Sequence, residues 1–364
     1  MVTRMIDDAM MDQALVLAAK GRGATSPNPM VGALVTSGDK IVGRGFHARA
    51  GGPHAEVVAL DEAGDSAHGG TLYCTLEPCC HTGRTGPCVE RIVRAGVADV
   101  VVGVEDPDPR VSGAGIRYLR ERGITVTIGP RQREAMRLNE AFFTVKRRSR
   151  PFVTMKAAVS LDRCIAAAYG RRTQLSGAAA LGHAQALRGE VDAIAVGSET
   201  VLVDNPLLTA RGVGRCRPFV RVLFDTRMRT PPSARVLTTC AEGPVVVMTT
   251  EAAVAAWPAR ATALERAGAL IEALPARDPA AAMSRLVAYE VSDVLLEGGA
   301  VLHLAAWTAG IVDRVRLYVA PVVLGRAGVP WMPDGRFSLA KLTGRRTRCL
   351  GEDVLLEADV QRFD

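Results

Sequence analysis

Apolar side chains recur at helical spacing over residues 4–20, with Met5, Ala9, Leu15 and Val16 on the pattern. Gly21, Gly23, Pro27 and Pro29 then force a loop. Residues 31–35 and 41–45 read as two strands around a turn at Gly38-Asp39. A helix is predicted over 54–63, a strand over 71–75, a helix over 88–95 and a buried strand over 97–104. Residues 115–122 read as helix, 124–128 as extended and 132–145 as helix again. Strands and helices alternating through short connections define a layered α/β domain. It ends at the basic run Lys146-Arg147-Arg148-Ser149-Arg150, expected to be a solvated linker.

A second α/β pattern begins after Pro151, with 152–160 as its first strand and a helix over 176–188. Residues 193–197, 219–224, 245–249 and 294–297 are short apolar runs of the kind found in buried parallel strands. The alanine-rich stretch 251–290 is expected to be mostly helical, and 314–319 and 354–360 to be closing strands. The expected division is residues 1–146 and 147–364.

At 364 residues the chain is long enough for two independent cores. No apolar run reaches the ~18 residues of a membrane span. The acids Asp7, Asp8 and Asp12 do not fit a signal peptide, so a cytoplasmic enzyme is expected. Net charge is +7, from 45 basic and 38 acidic residues, which favours anionic ligands such as phosphates. Aromatic content of 4% leaves few platforms for stacking single strands, so nucleic acid is not expected as a partner.

Cysteine and histidine placement carries the first chemical signal. Cys74, Cys79, Cys80 and Cys88 fall together, as do His47, His54, His68 and His81. In a reducing compartment such clustering points to a metal, with zinc the best match. One histidine and two thiolates leave a fourth corner for water, and the metal makes that water acidic. Glu56, two residues from His54, would carry protons from the water to a ring nitrogen and a leaving amine. Positions i and i+2 do not share a helix face, so His54 must stand at the irregular start of the helix. A purely structural four-ligand knot would instead recruit Cys74, Cys80 or His81.

The run Pro53-His54-Ala55-Glu56, with Thr75-Leu76-Glu77-Pro78-Cys79 and a later Pro87-Cys88, resembles the cytidine-deaminase-like signature. The long spacing between Cys79 and Cys88, with His81, Gly83, Arg84 and Thr85 inside it, is similar to the deaminase half of the bifunctional riboflavin biosynthesis enzymes. Pro27-Asn28-Pro29, Gly45-Phe46-His47 and Glu105-Asp106-Pro107-Asp108-Pro109 add to that resemblance. It implies a cytidine-deaminase-like three-layer domain in which His54, Cys79 and Cys88 bind Zn2+ and Glu56 is the proton shuttle. Asn28, His47 and Arg84 would touch a phosphoribosyl pyrimidine substrate.

The second half lacks a G-x-G-x-x-G run after a strand. Met155-Lys156-Ala157-Ala158-Val159-Ser160-Leu161-Asp162, the stretch from Thr200 through Asp204-Asn205-Pro206 to Thr209, and Leu296-Glu297-Gly298-Gly299 nevertheless resemble the reductase half of the same family. That implies a dihydrofolate-reductase-like α/β domain binding NADPH through Thr200, Asp204, Thr226, Gly298 and Gly299. Lys156, Arg188, Leu208, Arg211 and Glu297 would face the substrate, and a homo-oligomer is implied. Two departures stand out: Arg163 where the family has glycine, and Gln174 where it has tryptophan. They leave a catalytically weak reductase as the alternative.

Overall fold

A computed structural model of the chain describes residues 2–80, 86–212, 218–332 and 337–361. It divides into two compact units, Met1–Ser149 and Arg150–Asp364.

The first unit runs α1 (Val2–Ala19), β1 (Gly32–Ser37), β2 (Lys40–Phe46), α2 (Ala55–Ala63), β3 (Thr71–Cys74), α3 (Cys88–Ala95), β4 (Asp99–Val102), α4 (Ala114–Arg120), β5 (Thr125–Ile128), α5 (Gln132–Leu138) and α6 (Glu140–Arg148). Its five-stranded sheet has the order β2-β1-β3-β4-β5. The β1 pairings with β2 and β3 are antiparallel, and the β3–β4 and β4–β5 pairings are parallel. Alternate residues along each strand face opposite layers. Ala33, Val35, Leu72, Cys74, Val100 and Val102 pack against α2, α3 and α4. Leu34, Tyr73 and Val101 pack with Met11 and Ala14 of α1. The three-layer cytidine-deaminase-like arrangement is therefore present.

Two close approaches set where α2 lies. A Cβ at Gly43 would sit 2.1 Å from the Ala59 carbonyl oxygen, and one at Gly45 would sit 2.1 Å from that of Ala55. Only glycine lets β2 run this near the helix that begins beside His54.

Two expectations need correction here. The predicted helix over 132–145 is two helices, because Asn139 turns its side chain away to clamp Met30. Met30 N–H donates to Asn139 Oδ1 at 2.7 Å, and Asn139 Nδ2 donates back to the Met30 carbonyl at 2.8 Å. The basic run is not a solvated linker. Lys146, Arg147 and Arg148 form the last turn of α6, where positive charge meets the negative helix end. Lys146 pairs with Asp108 at 2.8 Å, and the buried Arg150 with Asp313 at 2.7 Å.

The second unit contains β6 (Phe152–Ser160), β7 (Cys164–Ala166), α7 (Ala178–Glu190), β8 (Ala193–Gly197), α8 (Ser198–Asp204), β9 (Val220–Phe224), β10 (Val245–Thr250), α9 (Glu251–Ala256), α10 (Pro258–Arg266), β11 (Ala269–Leu274), α11 (Pro279–Arg285), β12 (Asp293–Gly298), α12 (Ala300–Thr308), β13 (Arg314–Ala320), β14 (Val329–Pro330), β15 (Leu342–Leu350) and β16 (Asp353–Val360). A nine-stranded sheet has the order β11-β10-β9-β8-β12-β6-β13-β16-β15. Pairings from β11 through β13 are parallel, and the last two are antiparallel. One face packs on α11 and α12, the other on α7, α9 and α10.

Residues 251–290 are mostly helical, as expected, with one strand among the helices. β11 lies between α10 and α11, because Ala269-Leu270-Ile271 can pair in parallel with Val245-Val246-Val247. An apolar run of that length suits strand or buried helix equally, and only the neighbouring strand decides. Strand β15, with its exposed arginines Arg345, Arg346 and Arg348, also escaped the sequence pattern.

Candidate active sites and the family of the chain

In the first unit the ends of three elements converge. His54 is the N-cap of α2, with extended backbone (φ −75°, ψ 157°), so its side chain is free of the helical face. Glu56 follows in the first turn and is buried. Cys79 stands in the loop after β3, and Cys88 opens α3. His54 Nδ1 is 3.1 Å from Cys88 Sγ and 3.5 Å from Cys79 Sγ. The Cys88 backbone N–H points at Cys79 Sγ at 3.4 Å.

The electrostatics of this cluster suit a cation. The Cys88 thiol donates to Cys79; with the contributions of His54 and the Cys88 backbone N–H, this outweighs burial and holds the Cys79 thiol down to about 4. Cys88 is pushed upward by the same shared proton and by burial. A divalent ion replacing that proton would take both sulfurs as thiolates. Glu56 is pushed up to about 7, by burial first and then by the Cys79 charge, and it hydrogen-bonds to Cys88. Among the described residues the donor group comprises His54, Cys79 and Cys88, whose ligand atoms all lie within 4.8 Å of one another. Cys74 and Cys80 point at the carbonyls of Val101 and Arg110 instead.

Asn28 and His47 sit beside this cluster. His47 Nδ1 is 3.0 Å from the Pro53 carbonyl, so it carries the hydrogen, and Nε2 accepts from Asn28 Nδ2 at 3.2 Å. Burial favours the same neutral ring. The His47 and His54 rings meet edge to face at 5.5 Å. Arg84 and His81 lie outside the described residues. Glu77 was not singled out from the sequence, yet it orders the Cys79 loop. Its two oxygens accept from the backbone N–H groups of Asp106, Gly113, Gly115 and Ile116. The signal was available: a carboxylate inside an apolar strand end needs several donors.

In the second unit, Lys156 on β6, Glu297 on β12 and Arg188 on α7 form a buried charge cluster. Arg188 binds Glu297 with both ends of its fork, at 2.9 and 2.5 Å, and donates to the Thr209 carbonyl at 3.1 Å. Burial alone would raise Glu297, but Arg188 and Lys156 outweigh it and hold the carboxyl below its usual range. Burial lowers Lys156, partly offset by Glu297. Leu208 is buried at φ 53°, while Arg211 is exposed and its backbone N–H donates to Gln185.

The Gly298-Gly299 turn ends β12 and opens α12, whose N-terminus has no side-chain cap. Such uncapped amides are ready to meet a phosphate oxygen. Gly298 has φ 111°, and a Cβ there would meet His303 at 3.1 Å. A Cβ at Gly299 would lie 3.8 Å from Thr200 Oγ1. Asp204 ends α8, where burial raises its carboxyl and the charge of Arg172 offsets only part of that. Thr226 follows β9 in a separate cleft at the sheet's C-terminal edge. Position 163 keeps the left-handed conformation (φ 62°) expected where the family has glycine, although arginine occupies it here.

Fold and site together define a zinc-dependent deaminase domain of the cytidine deaminase type, followed by a reductase domain. The family of cytidine and deoxycytidylate deaminase zinc-binding regions matches residues 5–104, and the RibD C-terminal domain matches residues 151–356. The chain belongs to the RibD family, the bifunctional deaminases and reductases of riboflavin biosynthesis. The riboflavin biosynthesis protein RibD of Aquifex aeolicus (strain VF5) is 38% identical over 356 residues, covering 97% of this chain and 98% of the relative. That of Escherichia coli (strain K12) is 37% identical over 336 residues, covering 88% and 89%. Acinetobacter baumannii RibD superposes with a TM-score of 0.88 at 34% identity, over 99% of this chain and all of that one (100%). A Thermotoga maritima diaminohydroxyphosphoribosylaminopyrimidine deaminase/5-amino-6-(5-phosphoribosylamino)uracil reductase does so at 0.85 and 31% identity, over 98% and 99%. Because the similarity runs through both halves, a deaminase with an inactive appendage is not favoured.

Proposed function

We propose that the first unit hydrolytically deaminates 2,5-diamino-6-(5-phosphoribosylamino)pyrimidin-4-one, and that the second reduces the ribosyl group of the product to ribityl with NADPH. The observation that carries the reading is a buried carboxyl, Glu56, hydrogen-bonded at a His/Cys/Cys donor set. His54, Cys79 and Cys88 would hold Zn2+, which when bound would supply Lewis-acid activation of water as the nucleophile. Glu56 holds and moves the proton between that nucleophile, the ring nitrogen and the departing ammonia; burial keeps its affinity for a proton near neutrality. Asn28, with one amide hydrogen spent on His47, offers Oδ1 and its other N–H to a pyrimidine edge. His47, fixed as the neutral tautomer, orients Asn28. Arg84 takes the substrate phosphate.

In the second unit NADPH supplies the hydride. Thr200, Asp204, Thr226, Gly298 and Gly299 would hold it, the two glycines leaving the first amides of α12 open to a phosphate group. Glu297, pinned by Arg188, and Lys156 face the sugar, with Lys156 holding the proton that the opened ribosyl oxygen needs. Leu208 walls the site, and Arg211 offers an exposed cation to the phosphate. A cytoplasmic homo-oligomer completes the reading, checked by fractionation and light scattering.

The test supplies the purified protein with the diamino substrate and NADPH, following ammonia, cofactor absorbance and zinc content. One ammonia and one oxidised cofactor per substrate are expected. Folded, zinc-loaded protein that releases no ammonia would overturn the deaminase half. Ammonia without cofactor oxidation would overturn the reductase half.

A further inference from the structure

On the face of the second sheet that α7 covers, the neighbours of Lys156 leave its ammonium one partner of its own. Lys156 on β6 lies opposite Arg316 on β13, and Tyr318, two residues further along β13, shares that face. The Arg316 guanidinium is drawn the other way, to Glu357 on β16 at 2.8 Å. Glu297 faces Lys156 from β12, but both ends of the Arg188 fork already hold it. The ammonium lies over the Tyr318 ring, 5.4 Å from its centroid. This is the diagonal contact that long and aromatic side chains make between neighbouring strands. The face of an aromatic ring attracts a cation, and more strongly where water is excluded. Burial works against the Lys156 charge and Arg188 adds to it, so the ring and Glu297 act together on the favourable side.

Tyr318 is itself fixed. It is 1% exposed, and its hydroxyl accepts from His183 Nδ1–H of α7 at 2.6 Å. Nδ1 carries the hydrogen because Nε2 accepts from the Arg348 guanidinium of β15. Burial first, then the charges of Arg348 and Arg316, keep that imidazole neutral. Burial also pushes the phenol up, so the ring under the ammonium stays uncharged.

We propose that Tyr318, anchored by His183, is a positioning residue for the reduction, its ring holding the Lys156 ammonium charged and in place beside the sugar site. The proposal rests on the second unit being the reductase in which Lys156 holds a proton for the substrate. The groups that face Lys156 are Glu297 on β12, Arg188 on α7, Arg316 and Tyr318 on β13 and His303 on α12. Glu357 and Arg348 act on it through Arg316 and His183.

The chain has five lysines, so NMR of zinc-loaded protein carrying isotope-labelled lysine gives few signals, and K156R identifies the one from Lys156. In the resting protein Y318L is expected to lower the Lys156 titration midpoint by about 0.4–1.5 pH units, the worth of a cation–π contact. Y318F and H183L keep the ring but lose its anchor, and each should lower the midpoint by a smaller amount. Fluorinated phenylalanines placed at position 318 keep the shape of Y318F and weaken the ring face, so the midpoint should fall with each added fluorine; this arm stands even where Y318L fails to fold. Water let in by a merely structural change would raise the midpoint, so the sign separates the two. In turnover on the deaminated substrate, the alkaline limb of kcat in Y318L should move to lower pH with the midpoint, with the KM for NADPH unchanged. A midpoint that the fluorinated series leaves unmoved or raises would overturn the proposal. So would a shift in Y318F as large as in Y318L, and an unmoved midpoint in both Y318F and H183L would remove the anchor. A wild-type enzyme that oxidises no NADPH would instead overturn the reductase reading, whatever the midpoint does.

Discussion

The turn at Gly298 lies against a histidine whose second proton is disfavoured by burial, which makes a stability measurement predictable. His303 is 2% exposed. Its Nε2–H donates to the Leu296 carbonyl at 3.1 Å, and its Nδ1 accepts from Trp331 Nε1–H at 2.8 Å. Protonating Nδ1 would set two donors against each other inside the core. Burial, with Lys156 adding to it, pulls the ring down to about 4 from 6.5. In the unfolded chain the ring takes a proton near 6.5, so the unfolded state binds more protons between 6.5 and 4 and stability falls as pH falls. Linkage between those two values gives a loss of about 2 kcal/mol on going from pH 7.5 to pH 5. The assay is urea unfolding of wild type and H303Q, followed by tryptophan fluorescence at both pH values. Glutamine keeps one donor and one acceptor but does not titrate. The wild type should lose about 2 kcal/mol more than H303Q over the interval. Equal losses in the two proteins would refute the argument, since all other titrating groups are common to both.

Three further outcomes follow from the geometry. E56Q should retain zinc and fold yet lose ammonia release by about 10²–10⁴-fold, the usual worth of a positioned proton carrier; full ammonia release would remove Glu56 from the reaction. G45A forces a Cβ to within 2.1 Å of the Ala55 carbonyl, so α2 must shift; a loss of about 1–3 kcal/mol is expected, with impaired zinc retention and unaltered cofactor oxidation on pre-deaminated substrate. R163G should raise the thermal stability by about 0.5–1 kcal/mol, because Arg163 sits at φ 62° while its backbone already bonds Ser160 and Trp331; no gain would mean that the arginine side chain offsets its own strain.

The candidate metal donors were legible because their chemistry is local and their motif resembles a known one. Histidine two residues before glutamate, and cysteines beside prolines at loop–helix junctions, announce themselves in a one-dimensional pattern. Their meeting within 4.8 Å follows from three element ends that the hydrophobic periodicity already located. Strands buried on both faces were legible for the same reason, as short apolar runs. Where the pattern failed, the deciding contact was distant in sequence. Asn139 breaks a helix because Met30 lies opposite, and β11 is a strand because β10 offers it a ladder.

What the sequence determined by itself was therefore most of the order of elements, the two-domain class and, through a family resemblance, the candidate zinc donors and their carboxyl. Only the tertiary structure decided that Glu77 ties four backbone amides to the metal loop, and that His303 lies against the glycine turn. It alone gathered arginines from the ends of β9, α10 and β11 around one tryptophan. The physical reason is that helix and strand formation depend on neighbours a few residues away. The proton affinity of a buried group, or the charge of a cleft, depends on whichever segments the sheet order brings beside it.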